Sequence, residues 1–169
     1  MYLLKNFLLS IFIFSLSISN INAKDLNPQH SLMASGGITD LVLQEDKLFV
    51  ATTASSVDIF NIKTNEKIDS IKMPKIKDFI GDIIESKVYS VDVLKKDILI
   101  LSQGENGGRN VNIYKDGQMQ SIIEDTQRLF IGRAKFLDEN HIVYALLSNQ
   151  IYLYDIKNKK VLKEIQISQ

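Results

Sequence analysis

VDIF at residues 57–60 returns as VNIY at 111–114 and as IYLY at 151–154. Each copy is a short alternating run that ends on an aromatic side chain. Working outward from the first copy, KLFVATT fills 47–53 and ITDLVL fills 38–43. On the other side KTNE makes a turn, and KIDSIKM runs from 67 to 73. Short runs of β-branched and aromatic residues, split by a few polar residues, read as strands joined by hairpins.

The same order returns twice. The second unit reads KVYSVDV, DILILSQ, VNIY and MQSII between 87 and 123. The third reads GRAKFL, HIVYALL, IYLY and VLKEIQI between 132 and 167. The third strands start at 57, 111 and 151, so the spacings are 54 and 40 residues. A unit of about 40–50 residues with four strands has the size of a propeller blade. A four-stranded antiparallel sheet that is apolar on both faces cannot bury itself, and stacking blade on blade hides both faces. The expected fold is all-β: a WD40-like β-propeller with about three four-stranded blades, at about 38–73, 76–123 and 129–167. The competing arrangement is a two-layer sandwich of the same strands. Closed propellers have about four to eight blades, so three leave a partial ring with apolar faces at its ends. The expectations are that such a chain is a fragment of a longer protein, that it pairs with another copy of itself, or that it holds a different number of units.

One segment is ambiguous. IKDFIGDIIESKV at 76–88 has apolar positions at helical spacing. It also reads as two strands, DFIGDII and KVYSVDV, turning at ESK. The repeat favours strands.

The chain has 169 residues, with 20 basic and 20 acidic side chains and no cysteine. It opens with MYLLKNFLLSIFIFSLSISNINA, where Lys5 precedes an apolar run from Phe7 to Ile18 and Ala23 offers a cleavage site. This is the layout of a secretory signal peptide over 1–23, followed by a polar lead-in over 24–37. The apolar run is short for a membrane span, which needs about 20 residues. The expected localisation is therefore the periplasm, with no stable membrane insertion after cleavage. The absence of cysteine rules out a disulfide or a cysteine-linked lipid. The scattered lysines form no basic stripe, which argues against a nucleic-acid partner.

Catalytic candidates are few. His30 lies in the lead-in and His141 opens a strand beside a turn. A metal site without cysteine would need both distant histidines plus carboxylates. Ser55, Ser56 and Ser102 have no His–Asp pattern written beside them, and they fall in repeated strands or turns. Asp40 and Asp92 occupy comparable places in the first strands, where they would line a channel or cap turns. No catalytic residue, cofactor-binding residue, metal ligand or cofactor is expected.

GENGGRN at 104–110 is longer than the matching junctions TASS and SNQ. It reads as a hairpin loop inserted on an end face of the propeller, a candidate partner-contact loop through Glu105, Asn106 and Arg109. Two sharper readings are an anion cradle of glycine N–H groups with Arg109, and a calcium loop through Glu105 and Asn106. It matches neither the P-loop nor the EF-hand spacing.

The phrases DKLFVATTASSVDIFNIKTNEKI and NQIYLYDIKNKKVLKEI resemble WD40-like repeats over roughly 38–167. There, a strand ending in an aromatic–Asp pair leads into a turn and an outer strand, as at Tyr154–Asp155. Phe60–Asn61 and Tyr114–Lys115 depart from that pair, and the chain has no tryptophan. With its leader, the chain also resembles the NapL family, the exported propeller-like accessory proteins of periplasmic nitrate reductase. That resemblance implies a non-catalytic scaffold supporting assembly or function of the reductase, with its components as protein partners. It brings no active residues. The alternatives are a propeller hydrolase or lyase with a channel site, and a cell-envelope protein-binding module unrelated to nitrate reduction.

Overall fold

A computed structural model describes residues 27–167, so the expected signal peptide lies outside the described residues. Among the described residues, three four-stranded antiparallel sheets follow one another. The first contains β1 (Ile38–Gln44), β2 (Lys47–Thr52), β3 (Ser56–Asn61) and β4 (Glu66–Lys72). A small hairpin of β5 (Ile76–Lys77) and β6 (Ile83–Ile84) comes next. The second sheet contains β7 (Val88–Leu94), β8 (Asp97–Gln103), β9 (Arg109–Lys115) and β10 (Gln118–Ile123). The third contains β11 (Ile131–Phe136), β12 (His141–Leu146), β13 (Gln150–Asp155) and β14 (Lys160–Gln166). In each sheet the strands lie in chain order. The sheets are blades of a partial, unclosed propeller, as the repeat implied.

Register shows that the repetition is structural. The first strand of every blade carries an irregularity at the same place, between Ile38 and Asp40, Val88 and Ser90, and Ile131 and Arg133. An extra residue there bends the strand and adds twist. The first strands β1, β7 and β11 run side by side from blade to blade, so they form the inner edge of the arc. β7 also lies against β2, and β11 against β8.

The core is divided between the two blade boundaries. Between the first and second blades, Phe49, Val57 and Ile59 meet Val88, Val91 and Ile100. Between the second and third, Leu99, Leu101 and Val111 meet Ala134, Ile142 and Tyr144. Alternation sends neighbouring side chains to opposite faces, so a blade between two others is apolar on both. That is why β8 reads DILILSQ, with Ile98 through Leu101 all buried.

The DG signal after VNIY forms a tight turn between β9 and β10. Asp116 and Gly117 both adopt positive φ, 49° and 81°, the geometry that matches strand twist in a two-residue hairpin. The segment 76–88 matches its strand reading only in part, at KVYSVDV, which forms β7. It is not a helix, and DFIGDII is not a single strand. The Asp78 carboxylate accepts the N–H groups of Ile80 and Asp82, each at 2.9 Å, and Gly81 takes φ +94°. This aspartate-centred turn diverts the backbone from ladder pairing, leaving only Ile83–Ile84 to pair with β5.

Candidate functional site

The blades have two ends. One carries the tight turns β1–β2, β3–β4 and their equivalents. The other carries the β2–β3, β8–β9 and β12–β13 junctions and both blade-to-blade connections, including the β5–β6 hairpin. The inserted loop, residues 104–108, lies on this second end.

The loop is built by intramolecular bonding. A short 3-10 turn spans Glu105–Gly107, and a second spans Asp125–Gln127 in the connection to the third blade. Glu105 N–H donates to the Asp125 carboxylate at 2.5 Å, and Asp125 N–H donates to Asn110 Oδ1 at 2.9 Å. Gly104 N–H donates to Gly108 O, and Gly108 N–H to Glu105 O, each at 3.0 Å. The glycines are there for close packing. A Cβ on Gly104 would stand 2.2 Å from Asp125 Cβ, and one on Gly108 2.5 Å from Asp125 O. Two of the three glycine N–H groups that an anion cradle would use are already engaged.

The three candidate loop residues separate. Glu105 is exposed, and its carboxylate accepts the Lys77 N–H of the hairpin at 3.3 Å. Asn106 sits within the first 3-10 turn. Arg109 begins β9 and turns inward: its guanidinium donates to Ile131 O at 2.6 Å and lies 3.8 Å over the Tyr89 ring. It therefore clamps the second blade to the third, with a carbonyl acceptor and a cation–π contact.

Around this loop stands a group of exposed apolar side chains that the sequence reading did not single out. Phe79, Ile80 and Ile83 of the hairpin are 88%, 68% and 67% exposed. Phe130 and Leu147 are 55% and 64% exposed. Phe130 approaches the loop at Gly107, 3.9 Å from where a Cβ would stand, and Leu147 N–H donates to Phe130 O at 3.0 Å. The hairpin touches the same loop through Glu105. The hairpin and the Phe130–Leu147 pair thus flank the same loop on one end face, and exposed apolar groups of this kind are candidates for contact surfaces.

The inner strands hold a charge cluster. Asp40 accepts the Val91 N–H at 3.2 Å, and Asp92 accepts the Phe136 N–H at 2.7 Å. Arg133 approaches Asp40 at 3.2 Å, and Lys135 stands 3.8 Å from Asp40 and 3.6 Å from Asp92. Both cations also donate to backbone oxygens of the second blade, Arg133 to Tyr89 O and Lys135 to Val91 O, each at 2.8 Å. The two acids are thus engaged by backbone donors and neutralised by cations, the arrangement of a joint between blades.

His30 is exposed, and His141 Nδ1 lies 2.9 Å from the Asp138 carboxylate in the β11–β12 turn. Ser55, Ser56 and Ser102 are buried. Ser55 Oγ donates to Met73 O at 3.3 Å, and Ser56 Oγ pairs with Thr52 Oγ1 at 2.9 Å. Sequence reasoning also missed Asp58, a fully buried carboxylate in the first VDIF run. Its oxygens accept the Ser35 N–H at 2.6 Å, the Ser70 hydroxyl at 2.8 Å, the Ser35 hydroxyl at 3.1 Å and Lys67 Nζ at 3.2 Å. Burial opposes its charge, but the Ser35 N–H, the two hydroxyls and the ammonium outweigh that and hold the carboxyl at about 2. The available signal was a lone acid in an apolar strand, at a position held by Asn112 and Tyr152 in the other blades.

No protein-family model matches the chain, and no curated protein matches it. Solved structures do. The WD40 β-propeller domain of Doa1 superposes with a TM-score of 0.62 at 11% identity, over 86% of this chain and 45% of that one. The computationally designed Ika8 protein superposes with a TM-score of 0.52 at 17% identity, over 82% of this chain and 40% of that one. The chain spans under half the length of either structure. At these identities the likeness concerns the fold: a distant WD40-like β-propeller in partial form.

Proposed function

We propose that this chain is a non-catalytic protein-interaction scaffold whose contact surface is the end face around the 104–108 loop. The observation that carries the reading is the exposure of Phe79, Ile80, Ile83, Phe130 and Leu147 on the two sides of that loop. The blades carry these side chains on one end, and the Asp78 turn braces the hairpin tip. Apolar anchors presented on a preorganised frame need little ordering on binding.

The leader and the resemblance to the NapL family support a more specific form of the proposal. The scaffold is exported to the periplasm and supports assembly or function of periplasmic nitrate reductase, with components of that enzyme as its partners. The test is recovery of reductase components on the tagged full-length chain, beside the double variant Phe79→Ser, Ile80→Ser. Capture by the native chain and loss by the variant is the expected result. Equal capture by both would remove the end face from the proposal. No capture, together with unchanged reductase activity in a deletion strain, would remove the nitrate reductase role.

A further inference from the structure

Strand register defines five apolar positions on the trailing face of each blade, the face turned toward the next blade. In the first blade they are Phe49, Ala51, Val57, Ile59 and Ile71. In the second they are Leu99, Leu101, Val111, Ile113 and Ile123. Both sets are buried. The equivalent set in the third blade is Val143, Ala145, Ile151, Leu153 and Ile165. It is just as apolar, yet none of it is buried, and Ile165 is 48% exposed.

The opposite end of the arc is bare in part. Val88, Val91 and Val93 form the inner part of the second blade's leading face and pack on the first blade. Their register equivalents in β1 are Ile38, Leu41 and Leu43, which are 58%, 56% and 57% exposed. The outer part of that face is already covered: Val50, Asp58 and Phe60 are buried, and Ser35 of the lead-in bonds to Asp58. One end of the chain thus bares a trailing face, and the other bares the strand that such a face covers elsewhere in the molecule.

We propose that the two surfaces meet between two copies of this chain. The third blade of each copy covers β1 of the other, and the two junctions are related by a twofold axis. Head-to-tail contacts close into a ring when the rotation allows it, and otherwise grow into filaments. Two three-bladed arcs give six blades, within the range of about four to eight found in closed propellers.

The experiment is light scattering on the full-length chain recovered in its processed form, with two single variants. Ile165→Lys charges the trailing face and Leu41→Lys the leading strand. Both sites are exposed within the arc, so both variants should fold, which circular dichroism verifies. The expected result is twice the chain mass for the native protein and the single chain mass for each variant alone. Mixing the two variants should restore association through one intact junction. A monomeric native protein would overturn the proposal. So would a dimer that neither variant disturbs, or one that only Ile165→Lys disrupts, since the latter describes third blades packed face to face. The Phe79→Ser, Ile80→Ser variant should keep the native mass, which separates this proposal from the end-face reading.

Discussion

Asp40 and Val91 are joined across the first blade boundary, the carboxylate accepting the backbone N–H at 3.2 Å. Ser90 and Ala134 repeat the bond across the second boundary at 3.4 Å, from the same two register positions. An inner-strand side chain thus caps a donor on the next blade's inner strand, where no sheet partner reaches. Removing the acceptor strands a partly buried N–H and two cations. Asp40→Ala should cost about 1–3 kcal/mol, read as a lower urea midpoint with an unchanged slope. Asp40→Asn keeps an acceptor oxygen and should recover part of the loss.

Asp58 should give the fold an acid limb. Its carboxyl is held at about 2, below its ordinary 3.8. Because the folded value is depressed, its contribution is present above pH 4 or so and is lost as the pH falls toward 2. The size is at most roughly 2 kcal/mol. Chemical unfolding at a series of pH values should show this limb in the native chain and a flatter one in Asp58→Asn. An unchanged acid profile in the variant would assign the limb to other carboxylates.

Tyr144 should mark the alkaline side. It stacks on Tyr152 with ring centroids 5.1 Å apart and meets Tyr154 edge-on. Burial, then the neighbouring Tyr152, Tyr154 and Glu164, push its hydroxyl up to about 12 from 10.0. A raised folded value contributes stability below pH 10 or so that is lost as the pH climbs toward 12. Burial raises Tyr152 and Tyr154 as well, so phenolate absorbance should appear late for this group, and Tyr144→Phe should remove the latest part of it.

Gly104→Ala tests the loop packing. The new methyl would overlap Asp125, so the connection to the third blade must shift. Overpacking of this kind costs about 1–3 kcal/mol. Gly117→Ala has open space around it but φ +81°. It should cost about 1 kcal/mol through backbone strain alone. Thermal melts of the two variants should differ in that order.

The strands were legible because alternation and turn chemistry are local properties. VNIY followed by Asp116–Gly117 announces a hairpin whatever surrounds it. The blade order was legible because a strand apolar on both faces, such as DILILSQ, needs neighbours on both sides. The hairpin tip was not, since an apolar run such as DFIGDII carries no sign that Asp78 will bond its own backbone. Arg109 looked available in sequence because the carbonyl and ring that hold it, Ile131 and Tyr89, lie in other strands. The exposed group was hidden for the same reason: Phe79, Phe130 and Leu147 are far apart in sequence, and only the fold brings them to one end.

The bonds between inner strands reach one blade forward and one blade back, apart from the contacts of Arg133 and Lys135 with Asp40. A molecule wired this way is modular along its length. Duplication or loss of a unit asks only the flanking pair to readjust, and the rest keeps its interactions. Hydrogen exchange should expose the same grain, with β14, which buries no residue, surrendering its amides well before β8.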